Sequence, residues 1–204
     1  MLPPRVLPIT PGRAHELGVD GLSRDLQALR EAGCDGVLLR EPGLSDKALH
    51  GLASFARDLF ADGWLGLHDR AHIALAVSAD AVHLGYRSIT PRAARRALGS
   101  AVAIGHSQHI SELMNQSMDA DYRFMGPVFP TPSKEGILEP LGEETLISGT
   151  MLEQTWAVGG IGPSAAARLL AAGVGGVACI GSVFTNDPGG SFRALADSSK
   201  PLQP

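Results

Sequence analysis

A chain of 204 residues with 44% hydrophobic content can bury one sizeable core and is short for two independent domains. A net charge of −4 with scattered basic residues excludes the cationic footprint of a nucleic-acid binder. A mean hydropathy of +0.08, with no apolar run of membrane-spanning length, excludes an integral helical membrane protein.

Short apolar runs alternate with helical patterns from end to end. Val6–Thr10 predicts a first strand. Leu22, Leu26 and Leu29, at i, i+4 and i+7, predict a helix across Gly21–Gly33, with Gly33 as its terminator. Gly36–Arg40 is a second strand, and Ser45 can cap a helix carrying Leu49, Leu52, Phe55 and Leu59 on one stripe. Trp64–His68 and Ala81–Gly85 read as two more strands with a short Ala-rich helix between them. Thr90 and Pro91 open a basic helix ending near Gly99. Val102–His106 is a fifth strand, and Ser111 can cap the helix after it. Tyr122–Gly126 is a sixth, followed by a proline-rich loop and a helix from near Glu143. Thr155–Gly159 is a seventh; Pro163 begins a helix that Gly173 ends, and Gly176–Ile180 is the eighth strand.

Repeated strand–helix units without hairpin signals predict a parallel α/β sheet, because parallel neighbours need crossovers. Eight units close a (β/α)8 TIM barrel. The rival, an open doubly wound sheet, would show a Gly-rich fingerprint after the first strand, and Pro11-Gly12-Arg13 is not one. The barrel is placed at residues 1–197, with 198–204 as a frayed tail. Cys34 and Cys179, far apart and flanked by apolar residues, read as core thiols of a reducing compartment. The start Met-Leu-Pro-Pro-Arg lacks the apolar stretch of a signal peptide, so a cytoplasmic protein is expected.

In a barrel, chemistry sits at the C-terminal ends of the strands. Arg40 ends strand two after three apolar residues, turned either into the mouth or outward to a partner. His68, Asp69 and Arg70 end strand three; Asp69 is either a ligand or metal carboxylate, or a cap for the helix near Ala71 paired with Arg70. His106, Ser107 and His109 lie at or past the end of strand five and suit one general acid/base better than a metal pair. His15, His50, His72 and His83 are read as structural or solvent-facing. In Gly126–Lys134, three prolines stiffen a loop that carries Thr131, Ser133 and Lys134, two hydroxyls and a cation fit for a phosphorylated ligand. The bland alternative is a surface loop. Gly160, in Gly159–Gly162, and Ile180-Gly181-Ser182 reproduce loops that offer backbone amides to one phosphate.

These pieces together resemble the thiamine phosphate synthase and TenI family, compact TIM barrels of thiamine biosynthesis. The resemblance rests on Leu38–Glu41 with Leu44–Asp46, His68–Arg70, Ala81–Gly85, Ile104–His109, Asp121-Tyr122 with Gly126–Lys134, Ala157–Ile161 and Val177–Ser182. It implies a small phosphorylated thiazole as ligand, no nucleic acid or membrane partner, and a homodimer as the oligomer to test. For a synthase it implies Mg²⁺ held by two aspartates, with Arg40, Asp69 and Lys134 matching the pattern. The chain departs elsewhere: the family's Gln and Lys around Arg40 are Leu38 and Pro42, its Asn is His68, and its second metal aspartate is Ser88. TenI-type proteins share that serine, and the resemblance implies for them a thiazole tautomerase with His109 as proton shuttle and no cofactor. The leading expectation is therefore a tautomerase in which His109, Arg40 and Lys134 act on the substrate. His68, Asp69, Ser107, Thr131, Ser133, Gly160, Ile180, Gly181 and Ser182 would bind it, with Asp69 as the one candidate metal ligand. A Mg²⁺-dependent synthase and a non-catalytic ligand-binding barrel are the alternatives.

Overall fold

In each short strand, side chains alternate between a face that meets helices and a face that meets the other strands across a ring. The computed structural model describes residues 1–108, 119–131 and 139–199. Its strands are β1 (Val6–Pro8), β2 (Gly36–Leu39), β3 (Trp64–His68), β4 (Ala81–Leu84), β5 (Ala103–Gln108), β6 (Tyr122–Met125), β7 (Thr155–Val158) and β8 (Gly176–Cys179). All pair in parallel, in the order β1-β8-β7-β6-β5-β4-β3-β2. Ile9 bridges to Leu38, and Thr10 N donates to Leu38 O at 3.0 Å, which closes the ring between β1 and β2. The architecture is the expected TIM barrel.

The helices form where the sequence supplies caps and an apolar stripe. In α2 (Val19–Glu31), Leu22, Leu26 and Leu29 are buried, and Gly33 follows at φ +86°, a value that favours glycine. Ser45 caps α3 (Asp46–Leu59) by accepting from Ala48 N at 3.3 Å, worth about 1 kcal/mol. Leu49 and Leu52 of that helix are buried, each contributing about 2 kcal/mol of apolar transfer. Thr90 caps α5 (Pro91–Leu98) in the same way, at 3.2 Å to Ala93 N.

Two further helices differ from the sequence reading. A short α1 (Ala14–Leu17) follows β1. After β8 comes α8 (Pro188–Ser198), with Asp187 accepting from Gly190 N at 2.9 Å. Ser198, placed above in the tail, is the last residue of α8, and its hydroxyl donates to Pro163 O at 3.0 Å. The other helices, α4 (Ala71–Ala76), α6 (Glu143–Ile147) and α7 (Pro163–Ala171), sit where the pattern predicts. Among the described residues no helix is long and apolar enough to cross a membrane.

The core divides accordingly. Val37, Leu39, Leu65, Leu67, Val82, Ile104 and Val177 pack outward against the helix stripes. Leu7, Ile9, Leu38, Trp64, Ala81, Tyr122, Phe124, Trp156 and Ala178 fill the lumen. The two-residue period then carries Arg40, His68, His83, Ser107 and Ile180 to the upper lumen, above Leu38, Gly66, Ala81, Gly105 and Ala178.

Candidate active site at the barrel mouth

Arg40 follows Leu38 on the lumen face, and its amide donates to Thr10 Oγ1 at 2.8 Å. Its guanidinium lies against Gly12, where a Cβ would come within 3.2 Å of Nη1. Among the described residues Arg40 enters no ion pair, so none of them holds it as an outward ionic partner. The next side chain, Glu41, turns away and is buried at 4% exposure. It accepts from Gly12 N at 3.0 Å and Ala14 N at 2.7 Å, fixing the loop that packs on Arg40. The sequence reading gave Glu41 no such role; it is a structural carboxylate.

At the end of β3, Asp69 and Arg70 both have left-handed backbone, at φ +56° and +44°. Asp69 does not cap α4: Arg70 is the N-cap residue and no side chain caps the helix. Nor does it pair with Arg70, whose guanidinium goes to Asp46. Instead one Asp69 oxygen accepts a short hydrogen bond from Ser88 Oγ, and the other lies 3.2 Å from His68 Nδ1. Ser88 Oγ is held in turn by Gly85 N at 2.9 Å. Partial burial, the largest single influence, pushes the Asp69 carboxyl upward. The hydrogen bonds from His68 and Ser88 and nearby imidazole charge outweigh it, so the group sits below the ordinary carboxylate range.

Of the two readings offered for His83, structural or solvent-facing, burial removes the second. The residue is 1% exposed, stacked on Phe124 with centroids 3.8 Å apart, and its Nε2 lies 2.9 Å from Ser107 Oγ. Burial, then the charges of His68 and His106, hold its pKa well below the usual histidine value, so it is neutral. The signal was present in the sequence. Val82 and Leu84 are the outward apolar pair of β4, which leaves His83 on the lumen face.

Across the mouth, the proline-rich loop lies along the end of β7. Val128 N donates to Val158 O at 2.9 Å, and Phe129 N to Gly159 O at 3.1 Å. A Cβ on Gly126 would sit 2.0 Å from Val158 O, so glycine is required there for close approach. Gly160 differs from its reading as a cleared phosphate seat. At φ +67°, its missing side chain makes room for Pro130 O and Phe129 Cβ, which a Cβ would approach to 2.6 and 2.7 Å. Gly181 fits that reading, because its Cβ position meets nothing within 4 Å, as is also true of Gly162 at the head of α7. Ile180 O accepts from Val183 N and Phe184 N, so this turn leaves the Gly181 and Ser182 amides at its entrance without acceptors inside it. Thr131 is half-buried at the end of the described part of the loop. Ser133, Lys134, His109 and the proposed Ser111 cap lie outside the described residues.

The donor set does not fit Mg²⁺. Of the two carboxylates lining this side of the mouth among the described residues, Asp69 has its oxygens engaged by Ser88 Oγ and His68 Nδ1, and Glu41 accepts from Gly12 N and Ala14 N. Among the described residues no group of three or more His, Cys, Asp or Glu side chains could hold a metal ion. A cavity of about 180 Å³ lies on this side, lined by Glu41, Pro42, Leu49, His68, Asp69 and Arg70. A larger one, about 750 Å³, opens beside Met1, Asp80, Val102 and Ala103, at the opposite ends of β4 and β5. Its charged side chains are already paired, Arg95 with Asp121 and Asp80 with Arg57, so we place the site at the mouth rather than there.

Residues 6–183 match the family described as thiamine monophosphate synthase. The chain is 39% identical over 193 residues to a putative thiamine-phosphate synthase of Geobacter sulfurreducens, covering 89% of this chain and 88% of that protein. It is 38% identical over 179 residues to the thiamine biosynthesis bifunctional protein ThiM/ThiE of Symbiobacterium thermophilum, covering 84% of this chain and spanning 37% of that longer protein. Among solved structures, a thiamine phosphate pyrophosphorylase from Pyrococcus furiosus superposes with a TM-score of 0.80 at 25% identity, covering 96% of this chain and 95% of that one.

Proposed function

Because the chain belongs to the thiamine monophosphate synthase family, we propose that it catalyses the synthase-type condensation of a pyrimidine diphosphate with a thiazole phosphate. The tautomerase expected from Ser88 becomes the second reading, because the relatives described above carry synthase names. The observation that carries the proposal is a pair of anion-binding groups on one rim. Arg40, in no ion pair among the described residues, follows β2, and the Gly181 and Ser182 amides, without acceptors inside their own turn, follow β8, with β1 between the two strands. Two such groups at one mouth suit two phosphorylated substrates.

In this scheme the Gly181-Ser182 turn anchors the thiazole phosphate. Arg40, with Arg87 on the rim and Lys134 from the proline loop, neutralises the departing pyrophosphate. His83 and Phe124 form the floor under the reacting groups and exclude water from below. The Asp69 carboxylate, kept anionic by Ser88 and His68, faces the positive charge that develops on the pyrimidine methylene as the pyrophosphate leaves. The thiazole nitrogen then forms the new carbon–nitrogen bond. No step is routed through a metal. A cytoplasmic location is part of the same proposal.

The test is formation of thiamine phosphate from both substrates, with and without Mg²⁺. No product, while each substrate separately raises the melting temperature, would refute condensation. The tautomerase reading is favoured by the Ser88–Asp69 bond, which puts a hydroxyl where a synthase would hold its second metal ligand. It expects aromatisation of a carboxythiazole phosphate, abolished by His109→Asn with thiazole phosphate binding retained. Unchanged turnover in that variant would refute His109 as the shuttle.

A further inference from the structure

The ring of His83 is locked. It stacks on Phe124, lies 5.6 Å from the Tyr122 ring and 5.9 Å from the His68 ring, and faces Gly105 of β5. A Cβ on Gly105 would fall 2.5 Å from His83 Nδ1 and 2.2 Å from Tyr122 Cζ, so that glycine is what admits both rings to the lumen. The imidazole is neutral and has a single N–H to place. Nε2 has a partner, Ser107 Oγ at 2.9 Å, whereas buried Nδ1 has none among the described residues. A buried N–H without an acceptor is rarer and costlier than a bare lone pair, which puts the proton on Nε2. Ser107 then accepts from His83, and its own hydrogen must point elsewhere. Ser107 is half-buried at the mouth, on the lumen face of β5, beside Phe124.

We propose that His83 is a positioning residue: by donating from Nε2 to Ser107 Oγ, it fixes the Ser107 hydroxyl as a donor to an anionic or carbonyl oxygen of the bound substrate. This rests on the reading that a phosphorylated thiazole occupies the mouth, but the direction of the hydrogen bond does not. A serine held by a neutral histidine of the opposite tautomer would instead be an acceptor, suited to an amine or ring N–H. The tautomer therefore decides which side of a substrate the mouth can recognise.

Long-range proton–nitrogen NMR of the ¹⁵N-labelled protein reads the tautomer directly, with the His83 signals identified by their loss in His83→Gln. A protonated Nε2 and bare Nδ1 at pH 7 are expected; the reverse overturns the proposal. Thiazole phosphate titrations supply the second readout. His83→Phe keeps the stack on Phe124 and should weaken binding about tenfold, the loss of one hydrogen bond to an anion. Ser107→Ala should match it, and the double variant should be no worse than either. His83→Gln restores a donor and should bind better than His83→Phe, although phenylalanine packs better in an apolar lumen. Wild-type affinity in a folded His83→Phe, multiplying effects in the double variant, or Phe outperforming Gln would each overturn the proposal. Failure of the wild type to bind thiazole phosphate would instead refute the proposed function, leaving the tautomer measurement to decide the hydroxyl's direction.

Discussion

Glu41 offers the sharpest separation of scaffold from chemistry, because it adjoins Arg40 and shares its sequence motif while facing the other way. Its buried carboxylate holds two amides, Gly12 N at 3.0 Å and Ala14 N at 2.7 Å. Glu41→Ala leaves both without an acceptor. At about 1.5 kcal/mol for each, the low end for a bond to a charged group, the cost is about 3 kcal/mol. For a chain of this length that lowers the melting temperature by about 6–12 °C. Glu41→Gln keeps one acceptor oxygen and should lose roughly half as much. Because the same loop packs on the Arg40 guanidinium, KM for the pyrimidine diphosphate should rise in both variants, more in Ala than in Gln. Calorimetric or urea unfolding at pH 7, beside steady-state kinetics, checks both quantities. A Glu41→Ala protein melting within about 2 °C of wild type would show that the two amides find other acceptors, and would refute the assigned role.

The glycines across the mouth should divide by what surrounds them. Gly160→Ala forces a Cβ within 2.6 Å of Pro130 O at positive φ, and it should lower stability measurably in a thermal scan. Gly181→Ala meets open space, so it should melt like wild type while weakening thiazole phosphate binding in a calorimetric titration. Asp69 has a depressed carboxyl pKa, so its ionic contribution is present above the ordinary carboxylate range and is lost as pH falls through the lower folded value. The melting-temperature difference between wild type and Asp69→Asn should therefore shrink as pH falls below about 4; a difference that stays constant down to pH 2 would contradict it. Burial pushes both Cys34 and Cys179 thiols up to about 12, so neither should react with a disulfide reagent at pH 8 until the protein unfolds. Rapid labelling of the native protein would show that one of them opens to solvent.

Strand positions were legible because each is a short apolar run closed by a glycine or a polar end, a local signal that survives without tertiary contacts. The α8 helix was not, because two glycines at its start dilute the helical pattern. Tertiary packing explains the first: a Cβ on Gly189 would lie 3.0 Å from Ala28 O, where α8 crosses α2. The second, Gly190, fits against the carboxylate of the Asp187 cap.

At the mouth, Arg40, His68, Asp69, Ser107 and Gly181 could be named from strand ends alone, because a parallel barrel sends every strand's C-terminal end to one face. What surrounds Gly160 and which of its two readings His83 takes were not legible there. Those two depend on which atoms from distant strands fill the space beside them, Phe129 and Pro130 in one case, Phe124 and Ser107 in the other. The local pattern determined the barrel, its mouth and the family. Which oxygen Asp69 gives to Ser88, which way Arg40 and Glu41 turn, and what His83 holds were decided only by the closed ring, because strands far apart in sequence bring these groups within hydrogen-bond reach.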